Sequence, residues 1–250
     1  MIDLHCHVLP GLDDGAQTLE DACELARAAA RDGITTIAAT PHVRADYPTS
    51  ADDMERGVET VRAALVEEGV GVEVVGGGEV ALDSLPTLSW EDLARFTLGG
   101  TGRYLLLEFP YGGWPLDLEQ RVFELLAGGL SPILAHPERS RDVQDDPRRL
   151  EGAVHGGALV QVTAAALDGR LGRRAKATAM SLVELGLAHL VASDAHTPDV
   201  RAAGMSQARE AVGHEALGTW LVEGAPGAIL AGEDVPPRPA SRRRHRFRLA

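Results

Sequence analysis

Cysteine is nearly missing from this chain of 250 residues, which carries only Cys6 and Cys23. Two thiols do not make a disulfide framework, and neither has the Cys-x-x-Cys company of a thiolate zinc site, so a cytoplasmic location is expected. Long hydrophobic runs are missing too. The apolar stretch from Gly186 to Ala192 is typical, far short of the roughly 20 residues of a membrane span. Met1-Ile2-Asp3 leads straight into an apolar run without the basic segment of an export signal, so a soluble chain with no membrane span is expected. Basic residues are scarce and unevenly spread. The formal charge is −13, yet Arg238, Arg242, Arg243, Arg244, Arg246 and Arg248 crowd into the last thirteen residues, leaving 18 bases against 37 acids before them, a net of −19. So acidic a body repels a polyphosphate backbone and argues against nucleic acid as the main substrate. The organisation expected is one globular domain over 1–235 and a basic, disordered tail over 236–250.

What is present is an alternation of short β-type runs and helical ones, the pattern of βα units around a parallel sheet. Ile2 to Leu4 reads as the first strand. Thr18, with Asp21 three residues on, caps a helix whose apolar face is Leu19, Ala22, Cys23, Ala26, Ala29 and Ala30, and Gly33 closes it. Further strands are expected at Thr35 to Ala39, Val70 to Val75, Tyr104 to Leu107, Pro132 to Ala135, Ala158 to Val162 and His189 to Ala192. Helices fall near 51–68, 115–127, 146–155 and 174–185. Seven parallel-type strands result, an α/β architecture.

On that frame the metal-type side chains acquire a common place, because loops at the C-terminal ends of parallel barrel strands converge on one face. His5, His42, Glu79, Glu108, His136 and Asp194 each stand at or near such an end. Residues two apart on a strand share a face, so His5 and His7 can reach one ion, and Asp194-x-His196 repeats the spacing. Each alone has an ordinary explanation, a surface histidine pair or a turn carboxylate, but their joint placement at nearly every strand exit does not. Cys6 faces away between two ligand positions and is expected to pack in the core. Gly76-Gly77-Gly78 lacks the Lys-Ser/Thr or Gly-x-Gly-x-x-Gly context of a phosphate loop and reads as tightly bending backbone.

Seven segments carry a resemblance to the PHP (polymerase and histidinol phosphatase) superfamily, and within it to the capsule-type bacterial protein-tyrosine phosphatases. They are Ile2-Asp3-Leu4-His5-Cys6-His7, Pro10-Gly11-Leu12-Asp13-Asp14-Gly15, Thr36-Ile37-Ala38-Ala39-Thr40-Pro41-His42, Gly78-Glu79-Val80, Leu107-Glu108-Phe109-Pro110, Ala135-His136-Pro137-Glu138-Arg139 and Ser193-Asp194-Ala195-His196. The resemblance implies a distorted (β/α)7 TIM-like barrel holding two or three divalent ions, commonly manganese. It implies His5, His7, Glu79 and Asp194 around a first ion, Glu79, Glu108 and His136 around a second, and His42 and His196 with Asp14 or Asp13 around a third, Asp14 being preferred. Gln161 and Thr163 stand where relatives often carry an asparagine-rich stretch. An imidazole and carboxylate set by itself suits Mn, Fe or Zn better than magnesium.

Such a centre suits phosphoester hydrolysis, with ions about 3.5–4 Å apart holding a bridging hydroxide for in-line attack. Arg139 and Arg201 are candidate phosphate contacts beside His136 and Asp194; the plain alternative for Arg139 is an ion pair with Glu138 or Asp142. Tyr47, Tyr111 and Trp114 are candidates for bordering a substrate ring. The expected activity is removal of phosphate from tyrosine on a protein, a bacterial tyrosine kinase or its tail, in exopolysaccharide control. Alternatives are a small-molecule phosphatase of the histidinol phosphate type and, from another class, a metal-stabilised binding module without turnover.

Overall fold

The computed structural model describes residues 1–197 and 204–240. Its strands in chain order are β1 (Ile2–Cys6), β2 (Thr36–Ala39), β3 (His42–Arg44), β4 (Tyr47–Pro48), β5 (Glu73–Gly76), β6 (Glu79–Ala81), β7 (Tyr104–Glu108), β8 (Ser131–Ala135), β9 (Leu159–Thr163) and β10 (Leu190–Ala192). One sheet runs β1-β2-β5 and the other β10-β9-β8-β7-β6-β3-β4. Every pairing is parallel except the small hairpin of β3 with β4. A parallel bridge between Cys6 and Ala195 ties the free side of β1 to the segment after β10, which closes the barrel. With β2/β3 and β5/β6 as halves of two bent strands, the fold is a distorted (β/α)7 barrel.

The two bends lie side by side: Ala39 pairs with Gly76 below them and His42 with Glu79 above. None of Gly76, Gly77 and Gly78 has a positive φ. A Cβ on Gly78 would instead stand 2.6 Å from Cδ1 of Phe96, and one on Gly76 2.8 Å from Sδ of Met54. The chain does bend here, between Gly76 and Glu79, but the glycines are required by the Met54 and Phe96 side chains pressed onto the sheet rather than by left-handed backbone.

A slip in β1 matters more for the site. Its register against β2 shifts between Asp3 and Cys6. Leu4, with Ile2 beside it, packs in an inner cluster with Ala38, Leu106, Ile133 and Leu190, whereas Cys6 packs in the outer cluster between sheet and helices. Strict alternation would put Leu4 and Cys6 on one face; the bulge changes the parity, so even positions fill the barrel below and His5 and His7 face its mouth above.

The helices follow their sequence signals with local corrections. Thr18 and Asp21 form the capping box of Leu19–Arg31, but Leu19 and Ala30 are exposed and Leu25 is buried in their place. The strand expected from Val70 begins at Glu73, and the helix expected from 115 begins at Leu118 after Pro115. Between 146 and 155 a 3-10 turn, Pro147–Leu150, leads into the α-helix Glu151–His155. The helical segments between Ser206 and Leu230, with a π-helical turn at Trp220–Gly224, were not anticipated. They close the barrel floor, where Ile229 meets Leu98 and Tyr104. Of the expected tail, the indole N–H of Trp220 donates to Pro236 O (3.0 Å) and Arg238 donates to Val183 O (2.6 Å), while 241–250 lie outside the described residues. Among the described residues no helix is long and apolar enough to cross a membrane.

One buried side chain ties stability to pH. His189 Nδ1 accepts the Val160 N–H at 3.1 Å, and burial lowers its pKa to about 4. Below the unfolded value of about 6.5 the unfolded chain takes up a proton that the folded chain refuses, so stability falls as pH drops towards 4. His189→Asn keeps an acceptor but cannot titrate. Urea unfolding at pH 7 and pH 5 is expected to show the unaltered chain losing about 2 kcal/mol more than the variant. Equal losses would refute a neutral His189.

Candidate metal centre

Four imidazoles form a row across the barrel mouth. Centroid distances are 4.6 Å from His42 to His7, 5.2 Å from His7 to His5 and 5.5 Å from His5 to His136, and His196 lies against His7 at 3.8 Å with the rings tilted by 32°. Glu79, at the start of β6, lies beneath the row and is fully buried. One of its oxygens is 2.7 Å from His136 Nε2; the other is 2.9 Å from His42 Nδ1, 3.3 Å from His5 Nε2 and 3.4 Å from His7 Nε2. The carboxylate thus reaches four histidines from three strand ends, those of β1, β3 and β8.

Potential ligand atoms gather within 4.8 Å of one another in four overlapping groups: His7, Asp14, His42 and His196; His5, Glu79 and His136; His5, His7 and Asp194; His42, Glu79 and Glu108. All nine sequence candidates are included. The grouping differs from the implied one at Glu108, which joins His42 and Glu79 and not His136. The cause is Arg44, which donates to Glu108 Oε1 at 2.7 Å and draws the carboxylate aside. A second difference concerns Asp194 and His196, which lie beyond β10 and not on it. Asp194 reaches the centre through left-handed backbone (φ 52°), as does His136 (φ 38°). Two non-glycine residues in that region carry a conformational cost of about 1–3 kcal/mol each, which persists only where surrounding structure enforces it.

The two aspartates divide their work. Asp14 Oδ1 lies 3.2 Å from His196 Nε2 and 3.4 Å from His42 Nε2. Asp13 instead accepts from His7 Nδ1 (2.7 Å), the His42 N–H (3.0 Å) and the Gly15 N–H (2.9 Å). Gln161 does the same for His5: its Oε1 is 3.1 Å from His5 Nδ1 and accepts the His136 N–H at 3.1 Å. Each histidine is thereby fixed with Nε2 facing inward, and the Nε2 atoms of His5 and His7 are 3.1 Å apart. Asp3 Oδ1 accepts from the N–H groups of His5 and Ser193, and Glu138 Oε1 from Thr163 N–H, so buried carboxylates pin the loops too. Gly15 is obligatory, since a Cβ there would stand 2.2 Å from His7 O.

Sequence reasoning missed Arg44, and with it a repeated device. At one end of the imidazole row Tyr47 stacks on His42 (5.7 Å, 17°) and Arg44 lies 5.1 Å over the tyrosine ring. At the other end Tyr111 stacks on His136 (5.7 Å, 7°) with Arg139 4.7 Å over it. Arg44 binds Glu108, and Arg139 binds Asp194 rather than Glu138 or Asp142. The tyrosines therefore brace histidines and arginines. Trp114 packs edge-on against Phe109 under Arg149, and Arg201 lies outside the described residues.

The electrostatics suit cations. Burial alone would lower His42, but the Asp14 and Glu79 carboxylates raise it to about 9. His196 and His42 hold Asp14 far below the carboxylate range. Burial works against the Glu79 anion, yet His5 and His136 bring it well below its ordinary value. Glu79 Oε2 and His42 Nδ1 are buried, 2.9 Å apart and in no hydrogen bond, an arrangement a shared ion would satisfy.

The sequence profile of the capsular polysaccharide synthesis family CpsB/CapC matches residues 1–222. This chain belongs to that family. The tyrosine-protein phosphatase YwqE of Bacillus subtilis (strain 168) is 36% identical over 254 residues, 98% of either chain. The putative tyrosine-protein phosphatase CapC of Staphylococcus aureus is 31% identical over 200 residues, 79% of this chain and 77% of that one. A crystal structure from work on YwqE of Bacillus subtilis and CpsB of Streptococcus pneumoniae, described as unique metal-dependent tyrosine phosphatases, superposes with a TM-score of 0.87 at 34% identity, covering 97% of this chain and all of that one.

The division between the aspartates can be measured. Asp14→Ala is expected to reduce the number of divalent ions bound per chain in a plasma emission assay of metal content. Asp13→Ala should keep the number but weaken binding about 10–100-fold, as for loss of a ligand-orienting partner. The reverse pattern would exchange their roles.

Proposed function

We propose that this member of the CpsB/CapC family is a metal-dependent phosphatase that hydrolyses phosphotyrosine on protein. The observation that carries the reading is the single connected cluster of His5, His7, Asp14, His42, Glu79, Glu108, His136, Asp194 and His196. These nine residues would hold two or three divalent ions, and their mixture of imidazole and carboxylate suits Mn²⁺, with Fe or Zn as the other candidates. Bound ions would supply Lewis-acid stabilisation of phosphoryl oxygens and lower the pKa of an attacking water.

The chain's own groups account for the rest. Arg139 presents a planar guanidinium at the edge of the centre, fixed by Asp194 and Tyr111. Its remaining N–H groups can orient phosphoryl oxygens and offset the charge that spreads over them. A tyrosine leaving group of pKa about 10 departs with little help from a general acid. A thiol route is closed: Cys6 and Cys23 are buried, and burial pushes both thiols up, Cys6 well above its ordinary value. The family's connection with capsular polysaccharide synthesis supports a tyrosine-phosphorylated partner in that setting, for which the tail of a bacterial tyrosine kinase is the proposed substrate.

Chelation followed by dialysis should abolish hydrolysis of a phosphotyrosine peptide, and Mn²⁺ should restore it. His136→Ala and Asp194→Ala should be inactive, whereas Arg139→Ala should retain bound metal but lose about a hundredfold or more in kcat. Turnover of histidinol phosphate alone, with none of the peptide, would overturn the reading in favour of a small-molecule phosphatase.

A further inference from the structure

Beside the centre, the loops after β3, β6 and β7 enclose a cleft of about 480 Å³. They emerge on the same face of the barrel as the centre, and one residue belongs to both. Glu108 turns Oε2 towards His42 Nδ1, 3.8 Å away, and Oε1 to Arg44, which lines the cleft. Cleft and centre therefore border each other at Glu108.

Its walls are preformed. Arg44 is held by Glu108 and Asp46, and Arg121 by Asp117 (2.7 Å) and by Leu82 O (2.6 Å). Between these fixed polar groups lie the apolar surfaces of Leu82, Pro110 and Pro115. Side chains already tied to one another lose little freedom when a ligand arrives. The volume falls within the range of about 300–1,000 Å³ of binding clefts, and it is additional to the ligand cluster itself. A small phosphate ester would reach the centre and leave this space unused, whereas an extended chain attached to the phosphorylated residue would enter it.

Building on the phosphatase reading above, we propose that this cleft is the subsite for the peptide segment adjoining phosphotyrosine, so that substrates are recognised through their chain as well as through the aryl phosphate. Ala45 and Asp83 line it from the β3–β4 hairpin and the loop after β6, and both are exposed and outside the ligand cluster. Ala45→Trp and Asp83→Trp would each fill it from a different wall.

The test is steady-state kinetics of the manganese-loaded full chain on para-nitrophenyl phosphate and on a phosphotyrosine peptide with several residues on each side. Each variant is expected to raise KM for the peptide about tenfold while kcat/KM for para-nitrophenyl phosphate stays within about twofold. Metal content should equal that of the unaltered chain. An unchanged peptide KM in both variants would overturn the proposal, as would parallel losses on both substrates. Failure of the unaltered chain to turn over either substrate would instead sink the phosphatase reading on which the proposal rests.

Discussion

Glu79 is the group on which the rest of the site depends. A fully buried carboxylate is costly unless its charge is met at close range, and four imidazoles from three strand ends meet this one within 3.4 Å. Its removal would leave His136 without its close carboxylate, His5 and His7 with Asp194 at 3.5 Å and His42 with Asp14 at 3.4 Å. The same demand spreads outward: Asp14, Glu108 and Asp194 add negative charge at the rim, and Arg44 and Arg139 limit it. The centre is a balance of buried charges that divalent ions would complete.

Meeting that demand requires backbone that departs from the regular barrel. The register slip in β1 turns His5 and His7 into the mouth, the paired bends set His42 opposite Glu79, and left-handed backbone delivers His136 and Asp194. The supporting hydrogen bonds have one purpose, to fix which nitrogen of each ring faces inward. Asp13 and Gln161 perform it for His7 and His5, and the stacked Tyr47 and Tyr111 restrain the rings of His42 and His136. Tyr47 and Tyr111 thus belong to the scaffold of the centre, and the neighbouring cleft is the place proposed for the chain segment next to a substrate residue.

Much of this was legible in the chain because strand ends, caps and ligand-type residues are local signals. The capping box at Thr18 and the seven strands appear where the pattern put them to within a few residues, and the nine candidate residues gather at one end of the barrel, Asp194 and His196 just beyond the last strand. Arg44 was not legible: an arginine one residue beyond Val43 on a short strand carries no mark of the carboxylate it will bind 64 positions away. Gln161 was visible only as an unusual residue in a wall, and its bonds to His5 and His136 depend on β9 lying beside β8. The helical segments from Ser206 to Leu230 were missed because their short turns, interrupted by Gly213, Gly218 and Gly224, present no sustained 3.6-residue period.

The sequence by itself determined the class of fold, the inventory of candidate ligands and their assignment to one end of the barrel, since alternation of β and α periods and residue type at strand exits are properties of neighbours along the chain. Tertiary structure alone decided which candidate ligands meet. Asp14 rather than Asp13 approaches His42 and His196, Glu108 turns to Arg44, and Leu4 and His5 share the barrel interior only because β1 slips against β2. Those outcomes follow from charges and side-chain volumes brought together across strands, a competition among distant groups that no local pattern encodes.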